Sequence, residues 1–239
     1  MINGNTMPVE DIGIIGWQKN SFIDFPRTVS TVLFFRGCNL RCPYCHNPDI
    51  VFNRLPPVSL NGILSFLDQR AGLIEGVVLT GGEPTLHKRL PDVISVLRDK
   101  GLKIKLDTNG LLPEMITLCK PDYLAMDLKT DPAQYVRLGG EYNDIPDRIF
   151  QSIEIVKSMG DNAEIRITAS PAFIDNNTIN TIADLVTGVS KIYLQQTVTN
   201  NNLLDKAYAD VDPYPVSVLE KFKSLLLEKV KQCTIRGFD

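Results

Sequence analysis

Apolar and polar positions along the chain switch repeatedly between a spacing of two and a spacing of three to four. Residues 28–36 (TVSTVLFFR) are β-branched and aromatic and predict a strand. Residues 60–69 predict a helix with Ser59 as its N-cap. A short apolar strand over 77–80 stops at Gly81 and Gly82. The next helix, over 91–100, follows from Leu90, Val93, Ile94 and Leu97 at helical spacing, with Gly101 as its C-cap. Strands are then expected over 102–108, 123–128, 164–168 and 191–196. Helices over 113–119, 147–159, 178–187 and 216–229 alternate with them, and 232–236 is a candidate final strand.

This makes six strand-then-helix units without a long linker, a low-complexity segment or a sequence repeat. Such alternation predicts an α/β fold, a parallel sheet with helical crossovers that is doubly wound or curled toward a barrel. Six units fall short of the full eight-unit barrel. One domain over 1–239 is expected, with an N-terminal extension over 1–27 and a core over 28–239. Both architectures place function at the C-terminal ends of the strands, where the chemically notable residues fall repeatedly.

Composition narrows the function classes. Hydrophobic residues make up 44% and charged residues 22% of 239, which is ordinary for a globular chain. The net charge of −3 argues against a large basic footprint for nucleic acid. Apolar runs such as 31–35 and 76–79 are far too short to span a bilayer. Residues 1–20 lack a basic stretch followed by a long apolar one, so a cytoplasmic protein without a secretory signal is expected.

The five cysteines change the picture more. Cys38, Cys42 and Cys45 fall within eight residues, whereas Cys119 and Cys233 stand alone in apolar stretches and read as small buried residues. An odd count without a signal peptide points to metal binding or redox chemistry, not a disulfide scaffold. The loop 36–47 (RGCNLRCPYCHN) is a C-x3-C-x2-C pattern directly after a strand. Tetrahedral zinc would need a fourth ligand, and His46 follows Cys45 too closely for good geometry. Cys42–His46 also fits covalent haem attachment, and Cys42–Cys45 fits a glutaredoxin string. Three structural cysteines are the bland alternative. A cubane iron–sulfur cluster suits the loop better, because thiolates then bind separate irons. Three thiolates for four irons leave one iron open to a substrate or cofactor.

The cysteine loop, together with Gly81-Gly82-Glu83-Pro84 after the second strand, resembles the radical S-adenosylmethionine (SAM) enzymes. The resemblance runs from about residue 13 to the last helix. More narrowly, Ser21-Phe-Ile-Asp24-Phe-Pro26, Arg36-Gly37-Cys38 and Cys42-Pro-Tyr-Cys45-His46-Asn47-Pro48 look like the activating enzymes of glycyl radical enzymes. Within those the string is most similar to the anaerobic ribonucleoside-triphosphate reductase activating proteins. The resemblance implies a partial (β/α)6 TIM-like barrel of the radical SAM type. It implies one [4Fe-4S] cluster on Cys38, Cys42 and Cys45 and SAM as cofactor. The implied activity is reductive cleavage of SAM to a 5′-deoxyadenosyl radical that takes hydrogen from a glycine of a partner enzyme. A flavodoxin or similar protein would be the electron donor.

By the same resemblance Gly81, Gly82 and Glu83 lie along the methionine end of the cofactor, with Glu83 an acceptor for its ammonium. Asp107, Thr108 and Asn109 approach the ribose and methionine portions, and Asp127 and Lys129 contact the cofactor. The resemblance also implies a monovalent cation between Asp107 and Asp127. Tyr44 would pack by the adenine. Arg166, inside an apolar strand, either faces solvent or pairs with an anion, for which the cofactor's carboxylate is a suitable bidentate partner. Gln195 and Gln196 enter by position alone. His46 would sit at the cluster, and His87 reads as surface at a helix start. Asp24-Phe25-Pro26-Arg27 stands where pyruvate formate-lyase activating enzymes have Asp-Gly-Pro-Gly, which leaves a contact of Asp24 with a target loop open. The alternatives are an activase of the pyruvate formate-lyase type, a radical enzyme acting on a small molecule, and an iron–sulfur electron carrier.

Overall fold

The computed structural model describes residues 12–199 and 202–237; the first eleven residues of the expected N-terminal extension lie outside the described residues. Strand β1 (Ile14–Ser21) runs antiparallel to β2 (Ser30–Phe35). From there β3 (Gly76–Gly81), β4 (Lys103–Thr108), β5 (Tyr123–Asp127), β6 (Ala163–Ala169), β7 (Lys191–Gln196) and β8 (Gln232–Arg236) follow, each parallel to its neighbour. Helices α1 (Pro48–Val51) and α2 (Leu60–Gln69) join β2 to β3, and α3 (Leu90–Asp99) joins β3 to β4. The remaining crossovers are α4 (Pro113–Cys119), α5 (Ile145–Met159), α6 (Asn176–Leu185) and α7 (Val216–Leu227). Strand order equals chain order, and among the described residues no ladder joins β8 back to β1. This is the partial-barrel arrangement, with the candidate strand over 232–236 in place as β8.

Strand parity divides the core. Leu33, Phe35, Val77, Leu79, Ile104, Leu106, Leu124, Met126, Ile165, Ile167, Ile192 and Leu194 are buried in one cluster with the apolar faces of the helices. Positions of the opposite parity look into the barrel, and there Lys105, Asp107, Asp127 and Arg166 replace apolar residues toward the C-terminal ends.

The short helix α1 and three further features were not foreseen. β1 carries Gln18, Lys19 and Asn20 and is broken by two register shifts against β2, so no clean alternation marks it as a strand. α5 begins two residues earlier than expected, with Pro146 in its first turn, where a fixed φ and a missing N–H cost nothing. α6 also begins earlier, at Asn176, because Asp175 caps it by accepting from the N–H groups of Asn177 and Thr178.

The Asp24-Phe25-Pro26 turn lies at the N-terminal end of the sheet. Ser21 is paired with Ser30, the first residue of β2, while the cysteine loop leaves the other end after Phe35. The two are separated by the length of β2, about 17 Å. Phe25 packs with Val32, Val78 and Tyr123 and seats against Gly76, where a Cβ would come within 2.9 Å of its ring. Asp24 accepts from Ser21 Oγ at 2.5 Å. The turn plugs the bottom of the barrel, away from the strand ends that carry the chemistry.

Candidate active site

The cysteine loop is held in place by backbone contacts from several segments. Gly37, at φ +72°, donates to the Ile50 carbonyl of α1 at 2.8 Å, and Arg41 N donates to Leu138 O at 2.6 Å. From the segment after β7, Leu204 N donates to Cys45 O at 2.9 Å and Asp205 N to Pro43 O at 3.1 Å. Cys42 is buried, Cys38 and Cys45 are half-buried, and all are free thiols. They open on a cleft of about 440 Å³ at the C-terminal ends of the strands. Burial, reinforced by the neighbouring Glu83 carboxylate, pushes the Cys38 thiol up to about 12, and burial raises Cys42 as well.

The second loop is clamped onto the first. Gly81, at φ +122°, sits where a Cβ would strike the Phe35 backbone at 2.4 Å, and at Gly82 a Cβ would meet Gly37 O at 1.8 Å. Without those atoms Gly82 N donates to Phe35 O and Glu83 N to Gly37 O, both at 2.8 Å. The close approach that needs both glycines is to the end of β2 and to the cysteine loop that follows it. Glu83 is buried and accepts at both oxygens: Oε1 from Thr85 N (3.1 Å), Thr85 Oγ1 (2.6 Å) and Thr108 Oγ1 (2.8 Å), Oε2 from Asn109 N (2.7 Å). Burial raises its pKa against these donors. Glu83, which lines the cleft, also braces the Gly81–Gly82 turn against the end of β4. Asn109 extends that brace by donating to Asn39 Oδ1 at 2.7 Å.

Below the loops runs a ladder of ion pairs across three strands. Lys105 Nζ lies 2.5 Å from Asp107 Oδ1, and Arg166 Nη1 is 3.0 Å from Asp107 Oδ2. Arg166 Nε lies 2.6 Å from Asp127 Oδ1, and Lys129 Nζ is 3.0 Å from Asp127 Oδ2. Burial alone would raise Asp127, but Arg166 and Lys129 outweigh it and hold the carboxyl well below the usual carboxylate range. Lys129 is raised because Asp127 outweighs its burial penalty. Arg166 thus bridges both aspartates, and a guanidinium stands where a monovalent cation was expected between them. Three cations against two carboxylates leave the ladder with one positive charge when all are ionised, which suits an anionic ligand.

Every residue singled out from the sequence as a cofactor or cluster contact lines this one cleft, including Tyr44 and Gln195. Tyr44 Oη is buried beside the Cys42 sulfur with no oxygen or nitrogen partner. Gln196 also lines the cleft but spends its amide nitrogen on Tyr214 O at 2.6 Å. His46 is exposed at the cleft rim. His87, expected at the surface, is half-buried and bonds the Arg36 carbonyl at 2.9 Å, its ring 5.2 Å from that of Phe35 and tilted 49° to it. Two contributors were missed. Lys105 looked like the polar position of an ordinary strand. The segment 202–210 gave no signal, yet Tyr208 packs on Tyr44 and bonds Ser170.

The donor set fits a cluster and a polar, charged cofactor. Three free thiols on one loop, Cys38, Cys42 and Cys45, open on the cleft beside charged walls, a donor set for a cluster whose irons each take one thiolate. The radical SAM superfamily model matches residues 32–186. This chain belongs to the radical SAM superfamily. Membership makes it an enzyme and implies a [4Fe-4S] cluster with SAM as cofactor; the electron-carrier alternative falls.

Among relatives, a Methanocaldococcus jannaschii protein provisionally named a glycyl-radical enzyme activating enzyme is 33% identical over 184 residues, 74% of this chain and 76% of that one. The pyruvate formate-lyase-activating enzyme of Clostridium pasteurianum is 26% identical over 249 residues, 96% and 97% of the two chains. The 7-carboxy-7-deazaguanine synthase of Aquifex aeolicus is 34% identical over only 83 residues, 35% and 37% of the two. Among solved structures, Streptococcus suis SuiB bound to S-adenosylmethionine shares the fold at a TM-score of 0.60 and 16% identity, covering 86% of this chain and 52% of that one.

Proposed function

We infer that this radical SAM enzyme is an activase, generating a glycyl radical on a partner enzyme. The observation that supports this best is the match over 96% of the chain to a pyruvate formate-lyase-activating enzyme, whose target is another enzyme. Among the described residues no ladder joins β8 to β1, and we assign that side to the approach of the partner's backbone. When bound, cluster and SAM together supply a carbon-centred radical able to abstract hydrogen.

The chain's own residues have distinct tasks. Cys38, Cys42 and Cys45 hold the cluster, and the Glu83 brace fixes the two loops against each other. Lys129 and Arg166, neutralised on one side by Asp127 and Asp107, present positive charge to the cofactor's carboxylate. Tyr44 closes the floor beside Cys42. Thr108, Asn109 and Gln195 position the nucleoside end. The partner we assign is anaerobic ribonucleoside-triphosphate reductase, on the likeness of the 21–48 string to its activating proteins.

The test is anaerobic incubation of the reconstituted, reduced chain and SAM with that reductase or with pyruvate formate-lyase. A glycyl radical doublet on the reductase alone supports the assignment. A doublet on pyruvate formate-lyase alone moves the partner, and SAM cleavage without radical on either protein contradicts the activase reading.

A further inference from the structure

Tyr44 ends in a buried hydroxyl that no protein group satisfies. It belongs to the turn Cys42-Pro43-Tyr44-Cys45, which closes with Cys45 N donating to Cys42 O at 3.0 Å and has Pro43 to preset its second position. The ring is 6% exposed, edge-on to Phe173 at 5.7 Å and tilted on Tyr208 at 5.8 Å. Three other tyrosines are buried, and each of their hydroxyls has a partner. Tyr123 Oη donates to Glu164 at 2.5 Å, Tyr135 Oη accepts from Lys129 N at 3.1 Å, and Tyr208 bonds Ser170. Among the described residues Tyr44 Oη is the one buried side-chain oxygen or nitrogen without a hydrogen bond. Phenylalanine would fill the same space without that cost, so the hydroxyl asks for a ligand. Its neighbour is the sulfur of Cys42, and both residues line the cleft.

We propose that Tyr44 Oη donates a hydrogen bond to the Cys42 thiolate when that thiolate holds the cluster, and that this bond raises the cluster's reduction potential. A protonated thiol is a weak acceptor, which agrees with a hydroxyl that stands beside the sulfur without a formed bond. Metal ligation requires the thiolate, a charged acceptor that a phenol O–H suits. Reduction adds one negative charge, and a donor at a ligating sulfur stabilises the reduced form more than the oxidised one. Cys42 is the buried member of the three, so water is least able to replace a donor there. Cys38 Sγ already accepts from Leu40 N at 3.4 Å, and Tyr44 gives Cys42 a comparable donor. The proposal rests on the cluster reading above and adds to it a task for the hydroxyl that the ring alone cannot perform.

The test is a redox titration of the cluster-loaded chain without SAM, followed by electron paramagnetic resonance, in wild type, Tyr44→Phe and Tyr208→Phe. Tyr44→Phe keeps the ring and should keep its iron. At the wild-type midpoint its reduced-to-oxidised ratio should fall about tenfold, a negative shift of ~59 mV for one electron. Tyr208→Phe removes a hydroxyl from the same aromatic group on the Ser170 side and should titrate as the wild type does. An unchanged or more positive midpoint in Tyr44→Phe overturns the proposal. So does an equal shift in both variants, which would assign the effect to packing. A shift seen only after SAM is added would assign the hydroxyl to the cofactor, and loss of iron in Tyr44→Phe would assign it to cluster assembly; either result overturns the proposal. If the wild type yields no reducible cluster, the cluster reading itself has failed.

Discussion

Glu83 illustrates how single side chains set this site. Its carboxylate is buried and takes four donors from two loops, so each donor loses its partner if the acceptor goes. Glu83→Gln keeps one acceptor oxygen but sets an NH2 against the donors at the other, and should lower stability by about 2 kcal/mol, read as a lower denaturant midpoint at constant m-value. A shift under about 0.5 kcal/mol would mean the brace is dispensable. Gly82→Ala places a methyl group on the Gly37 carbonyl and should displace the cysteine loop, read as lost iron after reconstitution in a chain that still folds. At Asp127 the folded pKa lies below the unfolded value of about 3.9, so its stabilisation is present above that pH and is lost as pH falls below it. Asp127→Asn should therefore be less stable near neutrality, with the gap to wild type narrowing below about pH 4; a gap that stays constant would contradict the ion-pair reading. Asp107, Asp127 and Arg166 were legible because charges at strand ends or inside apolar strands ask for a reason. Their pairing was not, since Lys105–Asp107–Arg166–Asp127 depends on the register of three strands.

Elements were legible where periodicity was clean. Each parallel strand of the barrel carries apolar residues on the helix-facing parity, and the helices repeat Leu, Ile and Val at helical spacing, so alternation emerged from sequence alone. β1 did not, because an edge strand with polar residues and two register shifts has no clear period. Nor did the role of its following turn, whose Phe25 fills the barrel bottom. Phe25→Ala should cost about 3 kcal/mol of stability while leaving SAM affinity unchanged, because it lies at the end of β2 opposite the cleft; a change in that affinity would mean the two ends are coupled. The segment 202–210 was equally silent, since its grip on the cysteine loop combines backbone N–H groups of Leu204 and Asp205, which any sequence supplies, with isolated side chains, Asn202 on His46 O and Tyr208 on Tyr44, that follow no period.

For the whole molecule, the open sheet and the charged barrel interior belong together. A barrel closed and filled by apolar side chains would be a packed core, whereas here ion pairs replace that packing at the C-terminal end and leave a cleft. The central claim is that this cleft holds a cluster on Cys38, Cys42 and Cys45 with an iron open to SAM. Electron paramagnetic resonance of the anaerobically reconstituted, reduced chain, recorded with and without SAM, tests it most directly. A reduced [4Fe-4S] signal that shifts on adding SAM, and that Cys42→Ala abolishes, is the predicted result. A cluster signal indifferent to SAM, or full iron retained in Cys42→Ala, would contradict it.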